Sequence, residues 1–235
     1  MAGVTFEHHH RDIQGGAARA AVFGISDGLT SNVSLILGIA GANPTTGFVR
    51  LAGLAGLIAG SFSMAAGEYL SMKAQTELFE AELDLERREI SRRPENERRE
   101  LAAIYRARGV DRDTAEKLAT EMHRDPDLAL ETHAREELGI NPDSLGSPVQ
   151  AAVSSFLAFA VGALVPLLPW FFGRGDAAVL TSVVLGAAAA VVVGAALSRF
   201  TRRSALFSAT RQLAVVAAAA GITYGIGRAL GTSVT

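Results

Sequence analysis

The stretch LAGLAGLIAGSFSMAAGEYLSMKAQTELFEAELDLERREISRRP, residues 51–94, passes from small and aliphatic residues into a run crowded with acids and bases, with neither glycine nor proline between Gly67 and Pro94. Good helix formers continue across the change in polarity, so one helix is expected to serve as a membrane span at 48–72, leave the bilayer and run on in water until Pro94 stops or kinks it. That continuity decides the fold class: an all-α integral membrane protein interrupted by a soluble helical insert.

Outward from this stretch the charge is unevenly spread. Residues 73–147 hold 19 of the 24 acidic and 13 of the 22 basic residues, a net −6 within a chain whose total is −2. The remainder is apolar enough to give the whole a positive mean hydropathy, and a span needs about 20 predominantly apolar residues. Five spans are expected, at 18–42, 48–72, 149–172, 176–197 and 205–230, with Pro166 and Pro169 kinking the third. The domain reading is a tail at 1–17, spans one and two at 18–72, the insert at 73–147 and spans three to five at 148–235.

Within the insert, a helix from Pro94 to Arg108 ends at Gly109, Asp113 caps the next, and Asp125-Pro126 opens another that Gly139 terminates. Residues 141–148 read as a linker.

Basic residues set the orientation. Arg11 and Arg19 precede span one, the insert is Arg-rich, and Arg199, Arg202 and Arg203 lie between spans four and five, while the alternate loops hold Arg50 and Arg174. The N-terminus and the insert are therefore expected in the cytoplasm, in a bacterial-type plasma membrane. The tail, with His8, His9 and His10, lacks the apolar core of a cleaved signal, so span one is expected to direct insertion.

Ionisable residues inside spans are the leading functional candidates, because charge there is costly and faces a pathway, an interior or a partner. Asp27 lies in span one beside Ser26, Thr30, Ser31, Asn32 and Ser34, an oxygen-rich stretch suited to a transport path. Capping of a broken helix at Asp27-Gly28 is the alternative. Glu68 belongs to the path, or else reaches the interface or pairs with Lys73; Met64, one turn before it, is a soft ligand or ordinary packing. The GLIAG run at 56–60 suits close helix approach, within the chain or in a dimer.

In the insert, Glu86 with Glu89 and Glu97 with Glu100 are i, i+3 carboxylate pairs on either side of Pro94. A hairpin there would converge them on a divalent cation; solvated faces carrying intrahelical ion pairs are the plainer alternative. Glu131, His133, Glu136 and Glu137 form a further cluster able to complete a site.

Other classes are excluded or weakened. Without cysteine there is no disulfide, thiolate site or thiol catalysis. The acidic balance argues against nucleic acid. No nucleophile–base grouping, phosphate loop or HExxH motif points to an enzyme, and no catalytic residue or catalytic cofactor is expected.

The runs SDGLTSNVSLILGIAGA, GSFSMAAGEYLSMKAQTE and EELGINPD resemble the vacuolar iron transporter family, bacterial members included, from Phe23 to the third span. The resemblance implies a homodimer of five-span subunits moving Fe²⁺, and often Mn²⁺, out of the cytoplasm with proton exchange, and a cytoplasmic domain that collects the ion. By motif, Asp27 and Met64 fall on pathway residues, and Glu86, Glu89, Glu97, Glu100 and Glu137 on metal-site glutamates. The chain departs from plant members at Gly56, where they have glutamate, and at His133 and Ala134, where they have a methionine pair. Glu68 stands where they have glycine and is a candidate replacement for the missing carboxylate. Loss of the methionines hardens the site and makes manganese a more credible substrate. The function expected is export of Fe²⁺ or Mn²⁺, with metal ion, protons, bilayer and a second copy as partners. A non-transporting membrane metal sensor or scaffold is the alternative.

Overall fold

The computed structural model describes residues 16–139, 141, 146–201 and 203–231. The tail through residue 15, residues 142–145 of the expected linker, and Arg202 lie outside the described residues. Nine helices and no strand occur among the described residues: α1 (Gly16–Gly41), α2 (Thr46–Arg92), α3 (Pro94–Ala107), α4 (Arg112–Met122), α5 (Pro126–Glu136), α6 (Pro148–Leu167), α7 (Pro169–Phe172), α8 (Gly175–Thr201) and α9 (Ala205–Gly231). Five of them, α1, α2, α6, α8 and α9, are long and apolar enough to cross a membrane. The chain divides into two compact units, Ser71–Gly146 and the segments on either side of it.

In the span-bearing unit α1 is the central helix, packed on α6, α8 and α9. Leu29, Val33 and Leu37 of α1 meet Ala190 of α8 and Val216 and Ala220 of α9, while Ile36 joins a second cluster with Val49, Leu167 and Trp170. Small residues make the approach close. A Cβ on Gly28 would collide with the Phe159 carbonyl of α6, and one on Gly162 with the Ile25 carbonyl of α1, so these backbones touch where side chains ordinarily intervene. Gly56 and Gly60 of α2 instead make room for side-chain ends, those of Leu35 and Phe159.

The expected third span is two pieces. Pro166 lies inside α6, and Pro169 opens the short α7. Proline removes backbone donors from the helix ladder, and side chains from other spans donate into this stretch. Asn32 Nδ2 bonds the Ala163 carbonyl at 2.6 Å, Ser182 Oγ bonds the Pro166 carbonyl at 2.7 Å, and Arg50 Nε bonds the Trp170 carbonyl.

In the other unit, α2 stays helical to Arg92, and Pro94 occupies the first turn of α3, where its missing N–H costs nothing. Gly109 and Gly139 follow α3 and α5 with φ of +96° and +66°, the left-handed region that glycine enters without strain. Asp125 caps α5 as expected, accepting from the Asp127 N–H. The cap of α4 is not Asp113 but Asp111, whose carboxylate accepts from the Thr114 N–H at 3.0 Å; Asp113 sits inside the first turn, where its charge still favours the helix dipole. Leu101, Ala102 and Ala119 form a small core, with Tyr105 and Met122 against it.

Candidate metal centre

Three helices supply the centre. Glu86 and Glu89 lie near the end of α2, Glu97 and Glu100 near the start of α3, His133 on α5 and Glu137 at its C-cap. The one-residue break between α2 and α3 sets the two carboxylate pairs on either side of Pro94. Oxygens of Glu86, Glu89 and Glu97 lie within 4.8 Å of one another, and so do ligand atoms of Glu86, His133 and Glu137. Glu86 belongs to both groups. Glu100 is near enough for the charges of Glu137 and Glu86 to act on its carboxyl. All six residues proposed from sequence thus lie in one neighbourhood.

Charged side chains are buried together in the cluster. Glu86, Glu97 and His133 are buried, with exposures of 4%, 7% and 0%, and burying carboxylates is costly unless they are paired. Burial, reinforced by the charges of Glu86, Glu100 and Glu89, raises the Glu97 carboxyl above its ordinary value. Burial and the charge of Glu137 raise Glu100 likewise. Burial by itself would lower His133, but its hydrogen bonds and charge contacts with Glu86 and Glu137 outweigh that and hold the imidazole up to about 9. In the absence of other cations, the His133 imidazolium is the positive charge at the hub.

One imidazolium does not satisfy this many oxygens. His133 Nδ1 lies 3.0 Å from both Glu137 Oε2 and Glu86 Oε1. One Nδ1 proton faces both oxygens, so the buried Glu86 Oε1 is ion-paired with the ring yet lacks a well-directed hydrogen bond of its own. Buried carboxylate charge in excess of its donors is costly, so the convergence of Glu86 with Glu89 and Glu97, and with His133 and Glu137, marks a place for a cation. Carboxylate oxygens with one imidazole nitrogen suit hard-to-borderline divalent ions, Fe²⁺ and Mn²⁺ among them.

Sequence reasoning missed His123. It ends α4, and its Nε2 lies 3.1 Å from His133 Nε2, the rings edge to face. Glu131 and Glu136, by contrast, form ion pairs with Arg135 and Arg108 away from the cluster's shared point.

The residues expected along the pathway are placed separately. Asp27 is exposed on α1 and accepts a hydrogen bond from Ser31 at 3.3 Å. Met64 and Glu68 are half-buried on α2, one turn apart. Glu68 pairs not with Lys73 but with Arg19 of α1, Nη2 to Oε1 at 3.0 Å, while Lys73 pairs with Glu77.

Comparison with known proteins bears on the chain as a whole. A model of the VIT family matches residues 18–228. Vacuolar iron transporter 1 of Oryza sativa subsp. japonica is 32% identical over 229 residues, covering 96% of this chain and 91% of its own length. Vacuolar iron transporter 2 of the same plant is 33% identical over 226 residues, covering 95% and 92%. The vacuolar iron transporter of Acanthamoeba castellanii reaches 41% identity over 154 residues, covering 65% of this chain and 55% of its own.

Proposed function

Because the chain belongs to the VIT family, whose members are membrane transporters and not enzymes, we propose that it exports Fe²⁺, Mn²⁺ or both from the cytoplasm, with residues 73–147 as the cytoplasmic domain that collects the ion. The observation that carries the collecting role is the buried carboxylate of Glu86, which belongs both to a ligand group with Glu89 and Glu97 and to one with His133 and Glu137. Iron is the ion named in the relatives. Manganese enters because oxygen donors dominate the cluster and such donors hold Mn²⁺ well.

Asp27, Met64 and Glu68 carry the ion through the spans. Asp27 offers a carboxylate on the exposed face of the central helix α1, a costly position within a membrane unless another surface covers it. A second copy of the chain supplies that cover, and the transporter works as a homodimer in a bacterial-type plasma membrane. Proton antiport follows from the same groups, since a carboxylate that releases a divalent ion is free to take a proton. Basic residues around the insert and in the loop at 198–204 support the orientation with the insert in the cytoplasm.

The test is export from metal-loaded cells and from proteoliposomes, with Fe²⁺, Mn²⁺, Co²⁺ and Zn²⁺ compared with and without a pH gradient. Asp27→Ala at equal protein level is expected to abolish export. Unchanged export in that variant removes the pathway.

A further inference from the structure

His133 has two ring nitrogens and needs both. Nδ1 is turned toward Glu86 and Glu137, so any ion at their shared point takes the lone pair of that atom. The remaining proton must then sit on Nε2, inside a side chain with no exposure at all. A metal-bound imidazole whose second N–H lacks an acceptor is free to turn out of place, and the group receiving that proton sets ring orientation and basicity. In this chain Nε2 meets another imidazole, His123 Nε2 at 3.1 Å, with ring centroids 5.2 Å apart and planes at 83°.

We propose that His123 is a positioning residue of the metal centre: it accepts the Nε2 proton of His133 and thereby holds the Nδ1 atom of that ring on the point shared with Glu86 and Glu137. The inference rests on reading that point as a metal site.

Three features make His123 fit this role. Its backbone is fixed at the end of α4, where its N–H bonds the Ala119 carbonyl at 3.1 Å. Its ring is partly buried and presents Nε2 to Nε2 of His133 at hydrogen-bonding distance. Arg98 is itself tied to Glu95 and Thr120, at 2.9 and 3.3 Å, and so stands beside His123 without replacing it as the partner of His133.

The consequence is selectivity. With His133 in place the centre has one borderline nitrogen among hard oxygens; with the ring displaced it is an all-oxygen site. Imidazole favours Co²⁺ and Fe²⁺ over Ca²⁺, whereas carboxylates alone do not make that distinction strongly. His123, which touches no ion, thus decides how well the centre tells a transition metal from an alkaline-earth ion.

The experiment uses the full chain purified in detergent, titrated with Co²⁺ and Ca²⁺ separately and followed by calorimetry and by the visible d–d absorption of Co²⁺. His123→Phe fills the space but accepts no proton. It is expected to weaken Co²⁺ binding about 10- to 100-fold, to leave Ca²⁺ binding within about threefold, and to move the Co²⁺ band to that of His133→Ala. His123→Gln, whose amide oxygen accepts from Nε2, is expected to retain the wild-type band and affinity. If His123→Phe loses helix content, His123→Ala, which only removes atoms, takes its place. Wild-type Co²⁺ affinity and band in the acceptor-free variant overturn the proposal, as does equal loss in His123→Gln. Failure of the unaltered protein to bind either ion instead overturns the metal site itself, and the two failures are therefore told apart.

Discussion

In the span-bearing unit the buried polar side chains are neutral, Asn32, Ser61, Ser155, Ser182, Ser208 and Gln212 among them, whereas between Ser71 and Gly146 they are charged: Glu86, Glu97 and His133. Part of the neutral set is bonded within its own unit, while Asn32 Oδ1 and the hydroxyls of Ser34, Ser155 and Ser208 are buried without a partner. Ser61 Oγ bonds the Leu57 carbonyl and Gln212 Nε2 bonds Ser26 Oγ, at 2.7 and 2.8 Å, and Asn32 and Ser182 donate to the Ala163 and Pro166 carbonyls of α6. Such groups satisfy backbone and hold spans together. The charged set does not close on itself, because its single imidazolium faces more carboxylate oxygens than it has protons to offer. A neutral group without a partner forgoes one hydrogen bond, whereas buried carboxylate charge in excess calls for a cation.

Removing the waiting charges is the harshest way to break this contrast. Glu86→Ala combined with Glu100→Ala is expected to abolish Mn²⁺ binding by the purified full chain, measured by calorimetry; wild-type affinity in the double variant would return these glutamates to the status of a solvated face. On the neutral side, Gly28→Val forces a branched side chain against the Phe159 carbonyl. A loss of about 1–3 kcal/mol, or more where the backbone cannot shift, should appear as a lower thermal midpoint and poorer recovery of monodisperse protein in detergent. A valine tolerated there without change would mean that the α1–α6 contact is looser than described.

Acidity sharpens the contrast further. His133 is raised from 6.5 to about 9 in the metal-free fold, so its stabilising contribution is fully present below about pH 6.5 and is lost as pH rises through about 9. The raised carboxyls of Glu97 and Glu100 act in the same direction at lower pH. Metal-free protein is therefore expected to lose thermal stability from pH 6.5 to 9, while stabilisation by added Mn²⁺ grows over the same window because the ion no longer competes with a proton on His133. Parallel pH profiles with and without metal would contradict this. The smallest effect belongs to a cap: Asp125→Ala should cost about 1 kcal/mol, read as a modest drop in thermal midpoint with the strength of the saturated metal complex little changed.

Much of this was legible in the chain. Apolar length reveals the spans, because the bilayer imposes a length on helices that composition alone can meet. Pro94, Asp125-Pro126, Gly109 and Gly139 mark helix ends through chemistry local to a few residues. The i, i+3 glutamate pairs announce a shared face, and the family resemblance adds Glu137. Where the reading falls short, long-range packing decides. His123 and His133 are ten residues apart on different helices, and no periodicity marks an approach made by the ends of side chains. Arg19 reaches Glu68 across 49 positions, while Lys73, nearer in sequence, finds Glu77 one turn away. Asp111 and Asp113 are equally good caps by residue type, and only the backbone of Asp111 is extended, as a cap requires.

The bare contact between Gly28 and Phe159 also acts as a key in a keyway. If α1 were turned about its own axis by one position, a leucine or a carboxylate would be driven into a slot that admits only hydrogen. The azimuth of the whole helix is thereby locked, and the heading of the neighbouring Asp27 is fixed by a residue that carries no charge and has no side chain.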